Sequence, residues 1–426
     1  MKRSFCGWGK PRLTYGAFAD RLPEPETIPP PESIKLLIPD YGFQGIPQSL
    51  HLGDRILSGQ KLALNDHPDA YAISPITGAL TAMNPYVGDM GRTYIAMAID
   101  VDPAEEIDDQ FNGLAQEPTI ELARNFLNTV PGAPQLSALC DDAHPIDTIV
   151  IYGGDADLLI ATNQYVVQTR LNDVSSGIQI MRQISGVDNI IMAIPGERMQ
   201  GYGHIGATVK NVSAEYPNAL PQMIMKNALG RIVPAGKSCT DLGVWFVRAE
   251  AVAAIGQAFA QGRIPNRKLL TVYDQKGRMH VASAIIGTPL KLVFDTLGIT
   301  INEKDRIVLG GPMTGSAIYS QNHPVQADSD AVIIQGRDDI AAVSDTPCIN
   351  CGECVRVCPV DIPVNMLVRL LEARQYEAAA DQYDLWSCIE CGLCSYVCVM
   401  KMPIFQYIRL AKFELAQAMA AEAEHV

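Results

Sequence analysis

No stretch of the 426-residue sequence approaches the ~18 consecutive apolar residues that a membrane-crossing helix needs. No direct membrane span is expected, and any membrane link would run through a partner. Positive charge is scarce too: 33 Lys and Arg stand against 47 Asp and Glu, a formal net charge of −14. Without a clustered basic stripe a phosphate backbone finds nothing to neutralise it, so nucleic acid is not an expected partner. Behind Met1 there is no apolar leader-like segment, and with it goes the setting that favours a disulfide framework. A reducing, cytoplasmic compartment is the expectation. The seven histidines show no ligand-like pairing, and Ser, His and Asp occur without a nucleophile elbow, which leaves hydrolytic chemistry without support. At 48% hydrophobic, 19% charged and 7% aromatic residues the composition is that of an ordinary globular protein, long enough for about three domains.

Cysteine is unevenly placed. Eight of eleven cysteines fall in two ladders, CINCGECVRVCPV from Cys348 and CIECGLCSYVCVM from Cys388. Each reads C-x2-C-x2-C-x3-C, a spacing in which three thiolates wrap one iron-sulfur cube while the fourth reaches the other cube. Two [4Fe-4S] clusters follow, one held by Cys348, Cys351, Cys354 and Cys398, the other by Cys388, Cys391, Cys394 and Cys358. A tetrahedral zinc site would leave the third closely spaced cysteine of each ladder surplus. Cys6, Cys140 and Cys239 have no partner spacing and read as ordinary thiols.

The expected fold class is α/β and multidomain. The Pro-rich run Leu22 to Glu32 reads as an extended connector, with Lys2, Arg3, Lys10 and Arg12 before it as a solvated tail. From Ile34 to about Ile99, strand-like pieces are punctuated by Gly53, Gly59 and Gly78. Helical and apolar strand patterns then alternate: ELARNFLNTV, IDTIVIYGG, one long helix over TNQYVVQTRLNDVSSGIQIMRQI, NIIMAI, and LGVWFVRAEAVAAIGQAFAQG. Two strands and a helix from Lys268 form a compact insert, and DRIVLGGPMTG ends in a Gly-rich turn. Between and after the ladders, Leu367, Leu370 and Leu371, then Ile404, Ile408, Ala411 and Leu415, share helical faces, so helices should frame the clusters. GYGHIG, Gly201 to Gly206, matches a dinucleotide fingerprint, but the β-branched ATVKNV after it predicts a strand where a phosphate would need a helix N-terminus.

LHLGDRILSGQKLA, AISPITGAL, GRIVPAGKSCTDLGV, IGTPLKLVFDTLGI, LGGPMTG and the two ladders occur in the order seen in RnfC-type proteins, and the resemblance runs from about Ile34 to Lys412. It implies an electron-transfer subunit of a membrane-associated Rnf-like oxidoreductase complex, partnered by membrane-embedded and soluble redox subunits and peripheral on the inner face of the cell membrane. It implies an N-terminal extension (1–32), a barrel-sandwich-like β unit (33–100), an α/β domain resembling a flavin-binding scaffold (101–262), a β-grasp insert and return (263–339) and a helical two-cluster ferredoxin domain (340–426). The ladders match the family except that Val399, not Pro, follows Cys398. The larger departure is at the nucleotide loop. The family pattern resembles G-x-G-G-A-G-F-P, a loop that lets backbone N–H groups approach phosphates, and this chain reads NTVPGAPQLSALC there. GGDADLLI and YPNALPQ depart from the family at the same site. FMN is therefore not expected, and the subunit is expected to pass electrons without its own catalytic residues. The alternative is an NADH-oxidising FMN and iron-sulfur flavoprotein with a divergent nucleotide site.

Overall fold

The computed structural model describes residues 10–16, 23–42, 50–88, 91–196, 205–344 and 346–424. Strand Ser33–Pro39 buries Ile34, Leu36 and Ile38 while the intervening residues are less buried, the two-residue period of a half-covered sheet. It pairs antiparallel with Thr93–Val101, which pairs with Gly78–Val87, and Arg55–Ile56 closes the edge. Gly78 is required by contact: a Cβ there would lie 2.1 Å from the Asp100 carbonyl oxygen. The hairpin Lys61–Ala63 and Tyr71–Ile73 stands beside this sheet, and the shared core includes Leu62, Leu80, Met97 and Ile99.

The second sheet is wholly parallel, in the order Thr208–Val212, Asn189–Pro195, Thr148–Tyr152, Val244–Arg248. In chain order this is third, second, first, fourth, so the connection reverses between Thr148–Tyr152 and Val244–Arg248. Crevices beyond the carboxyl ends of strands at such a reversal are where open α/β sheets receive ligands. The long helix expected over residues 162–184 is instead two, Thr162–Thr169 and Leu171–Ser185, broken at Arg170 (φ −125°, ψ 37°). The Thr169 hydroxyl donates back to the Tyr165 carbonyl at 2.8 Å, a bond that competes with the helical ladder and bends it. Leu171–Ser185 crosses helix Ala249–Gln261 at glycines: a Cβ on Gly177 would sit 1.9 Å from the Val252 carbonyl, and one on Gly256 2.6 Å from the Gly177 nitrogen.

The third sheet has six strands, in the order Glu26–Thr27, Met279–Ile285, Arg267–Tyr273, Ala331–Gln335, Arg306–Leu309, Ser316–Ile318. Helix Leu290–Thr296 covers it with Val293 and Phe294. The Pro-rich run is extended as expected, yet more than a connector: Glu26–Thr27 pair with Ala282 and Ser283, and Ile28 is fully buried beneath the sheet. Residues 353–424 are helical: Glu353–Val357, Val364–Glu372, Tyr376–Tyr383, Leu393–Val397 and Ile404–Glu424. Leu367, Leu371, Ile404, Ile408, Ala411 and Leu415 are buried together as their spacing predicts, with Leu370 at the margin. Among the described residues no helix is long and apolar enough to cross a membrane.

The glycine crossing yields a stability test. Gly177→Ala must push two helices apart and is expected to cost about 1–3 kcal/mol or more, as overpacking does. Gly113→Ala, in a helix with open space at the Cβ, is expected to gain up to about 1 kcal/mol. Chemical denaturation of the two variants checks the contrast.

Candidate functional site

The 40-residue offset between the ladders (388 − 348) reappears in the backbone. Gly352 and Gly392, at φ +75° and +72°, each open a five-residue helix, Glu353–Val357 and Leu393–Val397. The residue before the second cysteine is left-handed in both, Asn350 at φ +57° and Glu390 at +53°, and so are Asp361 and Lys401 at +57° and +55°. Asn tolerates this region, whereas Glu and Lys pay about 1–2 kcal/mol for it, so the loop shape rather than local preference is being served. One consequence is that the Asn350 and Glu390 amides donate to Cys348 Sγ and Cys388 Sγ, each at 3.4 Å. The two short helices pack against each other and exchange their last cysteines. Cys348, Cys351, Cys354 and Cys398 line one small cavity; Cys388, Cys391, Cys394 and Cys358 line a second.

Among the described residues no three His, Cys, Asp or Glu side chains are set to hold a single metal ion; the eight thiols ring cavities instead. Burial pushes Cys354 and Cys391 up to about 12, so as bare thiols they keep their protons, and a cationic iron core is the partner that offsets burying their thiolates. The donor set therefore fits two clusters. Their surroundings differ. Around the earlier ladder Cys351 is exposed, and Ile349 and Val399 are 52% and 40% exposed. The later ladder is pressed into the rest of the protein: the Tyr216 hydroxyl donates to the Cys391 carbonyl at 2.7 Å, and a Cβ on Gly392 would lie 2.4 Å from the Met313 carbonyl. The Met313 turn is held by Asp157, whose carboxylate accepts from the Met313 and Thr314 amides at 3.3 and 2.8 Å and from the Thr314 hydroxyl at 2.7 Å. Leu158, Tyr216, Leu220, Met223, Cys391 and Leu393 form one apolar cluster. Asp157 and Tyr216 lie in GGDADLLI and YPNALPQ, which the sequence marks only as departures from the family pattern; their role beside the later ladder comes from contacts across more than 150 residues.

Behind that cluster, at the reversal point of the parallel sheet, lies a cavity of about 770 Å³ walled by Tyr86, Tyr152, Phe246, Asp155, Arg248 and Asp330 among others. Tyr152 and Phe246 stand on neighbouring strands with ring centroids 5.4 Å apart. Asp155 spends its carboxylate on the first turn of helix Thr162–Thr169, accepting from the Asn163 and Gln164 amides at 3.0 and 3.3 Å. Burial raises Asp155 to about 6 against these donors. The loop NTVPGAPQLSALC passes the cavity through Ala133, Pro134 and Gln135. Its one glycine, Gly132, is folded inward: a Cβ would lie 2.4 Å from the Ala251 nitrogen, and the Gly132 amide donates to the Ala327 carbonyl at 2.7 Å. Gly132 thus serves packing onto the start of helix Ala249–Gln261.

Of the remaining sequence candidates, Cys140 and Cys239 are partly buried and line neither thiol cavity, and Cys6 lies outside the described residues. So do Gly201 to His204 of GYGHIG; the segment after it is the strand Thr208–Val212, as its β-branched residues predict.

A 4Fe-4S dicluster domain model matches residues 341–399. The chain is 26% identical to the RnfC subunit of the ion-translocating oxidoreductase complex of Pseudomonas aeruginosa, over 74% of its length and 43% of that protein's. It is likewise 26% identical to the RnfC subunit of Rhodobacter capsulatus, over 84% of this chain and 73% of that one. The RnfC subunit of Buchnera aphidicola is 21% identical, with 84% and 79% covered. The chain thus spans less than half the length of the Pseudomonas relative. A chain of the NAD+-reducing [NiFe]-hydrogenase in its H2-reduced state aligns at TM-score 0.44 and 11% identity over 67% of this chain and 59% of its own.

Asp155 gives a pH signature. Its folded value is raised above the usual carboxylate value, so the unfolded chain ionises first as pH rises, and the buried charge weakens the fold fully above about pH 6. The loss is relieved as pH falls towards the unfolded value. Urea unfolding between pH 7 and pH 4 is expected to show the wild type gaining on Asp155→Asn as pH falls, by up to about 3 kcal/mol over the whole window.

Proposed function

We propose, from its RnfC-like sequence and the crossed thiol sets, that this chain is an electron-transfer subunit of an Rnf-like ion-translocating oxidoreductase complex. The observation that carries the reading is the arrangement of eight cysteines around two cavities, four to each, with one cysteine of each set supplied by the other ladder. Cys348, Cys351, Cys354 and Cys398 would hold one [4Fe-4S] cluster, and Cys388, Cys391, Cys394 and Cys358 the other. Each cluster, when bound, supplies a one-electron carrier. The chain's part is to hold and insulate. The Asn350 and Glu390 amides place partial positive charge on ligand sulfurs, and Leu158, Met223 and Leu393 keep water from one side of the later set. Electrons enter from one protein partner and leave to another; membrane-embedded subunits of the complex would anchor the chain at the inner face of the membrane. The finer domain plan, a barrel-sandwich-like unit over 33–100, a flavoprotein-like α/β scaffold over 101–262 and a β-grasp insert within 263–339, is part of this proposal.

The same reading holds that the flavin and NADH function is lost. It is supported by the loop around Gly132, where Pro131 and Pro134 have no N–H to donate and the glycine is packed against Ala251. One observation favours the alternative of an NADH-oxidising flavoprotein: the cavity of about 770 Å³ at the sheet reversal, walled by the aromatic rings of Tyr86, Tyr152 and Phe246 and by Asp157, whose carboxylate also holds the Met313 turn.

Two experiments test these readings. Anaerobically purified protein is expected to carry about eight irons. Cys358→Ser should damage the cluster of the later ladder and Cys398→Ser that of the earlier one, as resolved by electron paramagnetic resonance; each variant harming its own ladder's cluster would sink the crossing. For the nucleotide, dithionite is expected to bleach the cluster absorbance and NADH alone to leave it unchanged, with no stoichiometric FMN released on denaturation. FMN in the purified chain, or bleaching by NADH, would promote the flavoprotein reading.

A further inference from the structure

The two ladders are near copies in spacing but not in charge: the ion pair Glu353 and Arg356 of the earlier ladder is matched by Leu393 and Tyr396 in the later one, which receives a charge from the last helix instead. Lys412, on helix Ile404–Glu424, is 15% exposed and donates to the Cys388 carbonyl at 2.6 Å while pairing with Glu390 Oε1 at 3.0 Å. Forty residues earlier, the position equivalent to Lys412 holds Glu372, which is exposed at the end of helix Val364–Glu372. The position equivalent to Glu390 holds the uncharged Asn350. The later ladder therefore carries a partly buried ion pair on its first cysteine, and the earlier ladder carries no such pair at the matching positions.

We propose that Lys412 raises the reduction potential of the later cluster selectively, with Glu390 opposing it, so that two ligand sets of the same composition become electrically unequal. This rests on the cluster assignment above. The physics is that of a fixed charge beside a centre that gains one negative charge on reduction. A lysine on the ligand's own carbonyl stabilises the reduced form, and a carboxylate disfavours it. Burial sharpens the effect, since Lys412 is far less screened than a surface lysine. Glu390 is 39% exposed, so its opposing influence is the weaker of the two. The Asn350 and Glu390 amides do not create the inequality, because each serves the matching cysteine of its ladder; the Met402 amide, donating to Cys398 Sγ at 3.4 Å, favours the reduced form of the earlier cluster and works against the difference that Lys412 makes.

The test is a redox titration of the fully loaded protein, followed by electron paramagnetic resonance so that the two clusters are read separately; Cys358→Ser and Cys398→Ser identify which signal belongs to which. Lys412→Met removes the cation and leaves Glu390 without it. At a fixed ambient potential the reduced-to-oxidised ratio of the later cluster is expected to fall at least about tenfold, the scale of a unit charge about 12 Å away at an effective dielectric of about 20. The earlier cluster should move much less. Glu390→Gln should shift the later cluster the opposite way, and by less. Lys412→Arg, which keeps the charge, should restore most of the wild-type value, a result that a merely structural role would not require. Equal shifts of both clusters, no shift in Lys412→Met, or shifts of one sign in Lys412→Met and Glu390→Gln would each overturn the proposal. Loss of one cluster's iron in the cysteine variants with the predicted crossing reversed would instead overturn the cluster assignment, which separates the two failures.

Discussion

Everything in residues 348–415 is subordinate to one constraint: two sets of four thiols must close around two cavities, and each set must borrow a member from the other. Satisfying it locally requires left-handed backbone at Asn350, Glu390, Asp361 and Lys401, two of which are residue types that ordinarily avoid it. The two short helices must also lie side by side so that Cys358 and Cys398, just past their ends, point across. The helices Val364–Glu372 and Ile404–Glu424 then bury Leu367, Ile404 and Ile408 beneath the cysteines. The tandem repeat in the sequence is thus a repeat of geometry, and its departures, Glu390 for Asn350 and Lys412 for Glu372 among them, help to give the two halves different surroundings.

A second constraint fixes the rest of the molecule to this unit. Lys268 is fully buried and donates to Glu250, Asp330 and the Leu269 carbonyl, while Arg248 holds Asp330 from the other side at 2.8 Å. Burial alone would raise Asp330, but Arg248 and Lys268 together keep it below the ordinary carboxylate range. A buried network of this kind gains little net stability over apolar packing, and breaking it by one partner leaves an uncompensated charge. Its placement is therefore the informative part. Arg248 and Glu250 flank the start of helix Ala249–Gln261, Lys268 lies on the neighbouring six-stranded sheet and Asp330 just before another of its strands, so the parallel sheet is pinned to that sheet beside the sheet-reversal cavity, which Arg248 and Asp330 line. From there the Asp157 carboxylate carries the connection to the Met313 turn, and the turn rests on Gly392 of the later ladder.

The sequence by itself determined what is written in short-range period and spacing. The alternating apolar residues of Ser33–Pro39, the helical stripes around Leu367 and Ile408, the strand after GYGHIG and the pairing of eight cysteines into two ladders follow from local geometry with periods of 2, 3.6 and a fixed thiol interval. Tertiary structure alone decided the rest. That Tyr216 reaches the Cys391 carbonyl depends on a contact across 175 residues, that Ile28 belongs to the core depends on a strand 255 residues away (283 − 28) with a free edge, and that Gly132 packs inward rather than facing a ligand depends on how closely helix Ala249–Gln261 approaches. Likewise only folding brings Lys412 to the Cys388 carbonyl. The physical reason is common to all four: each depends on which surfaces meet, and a one-dimensional pattern encodes a residue's preference for burial without encoding its neighbour.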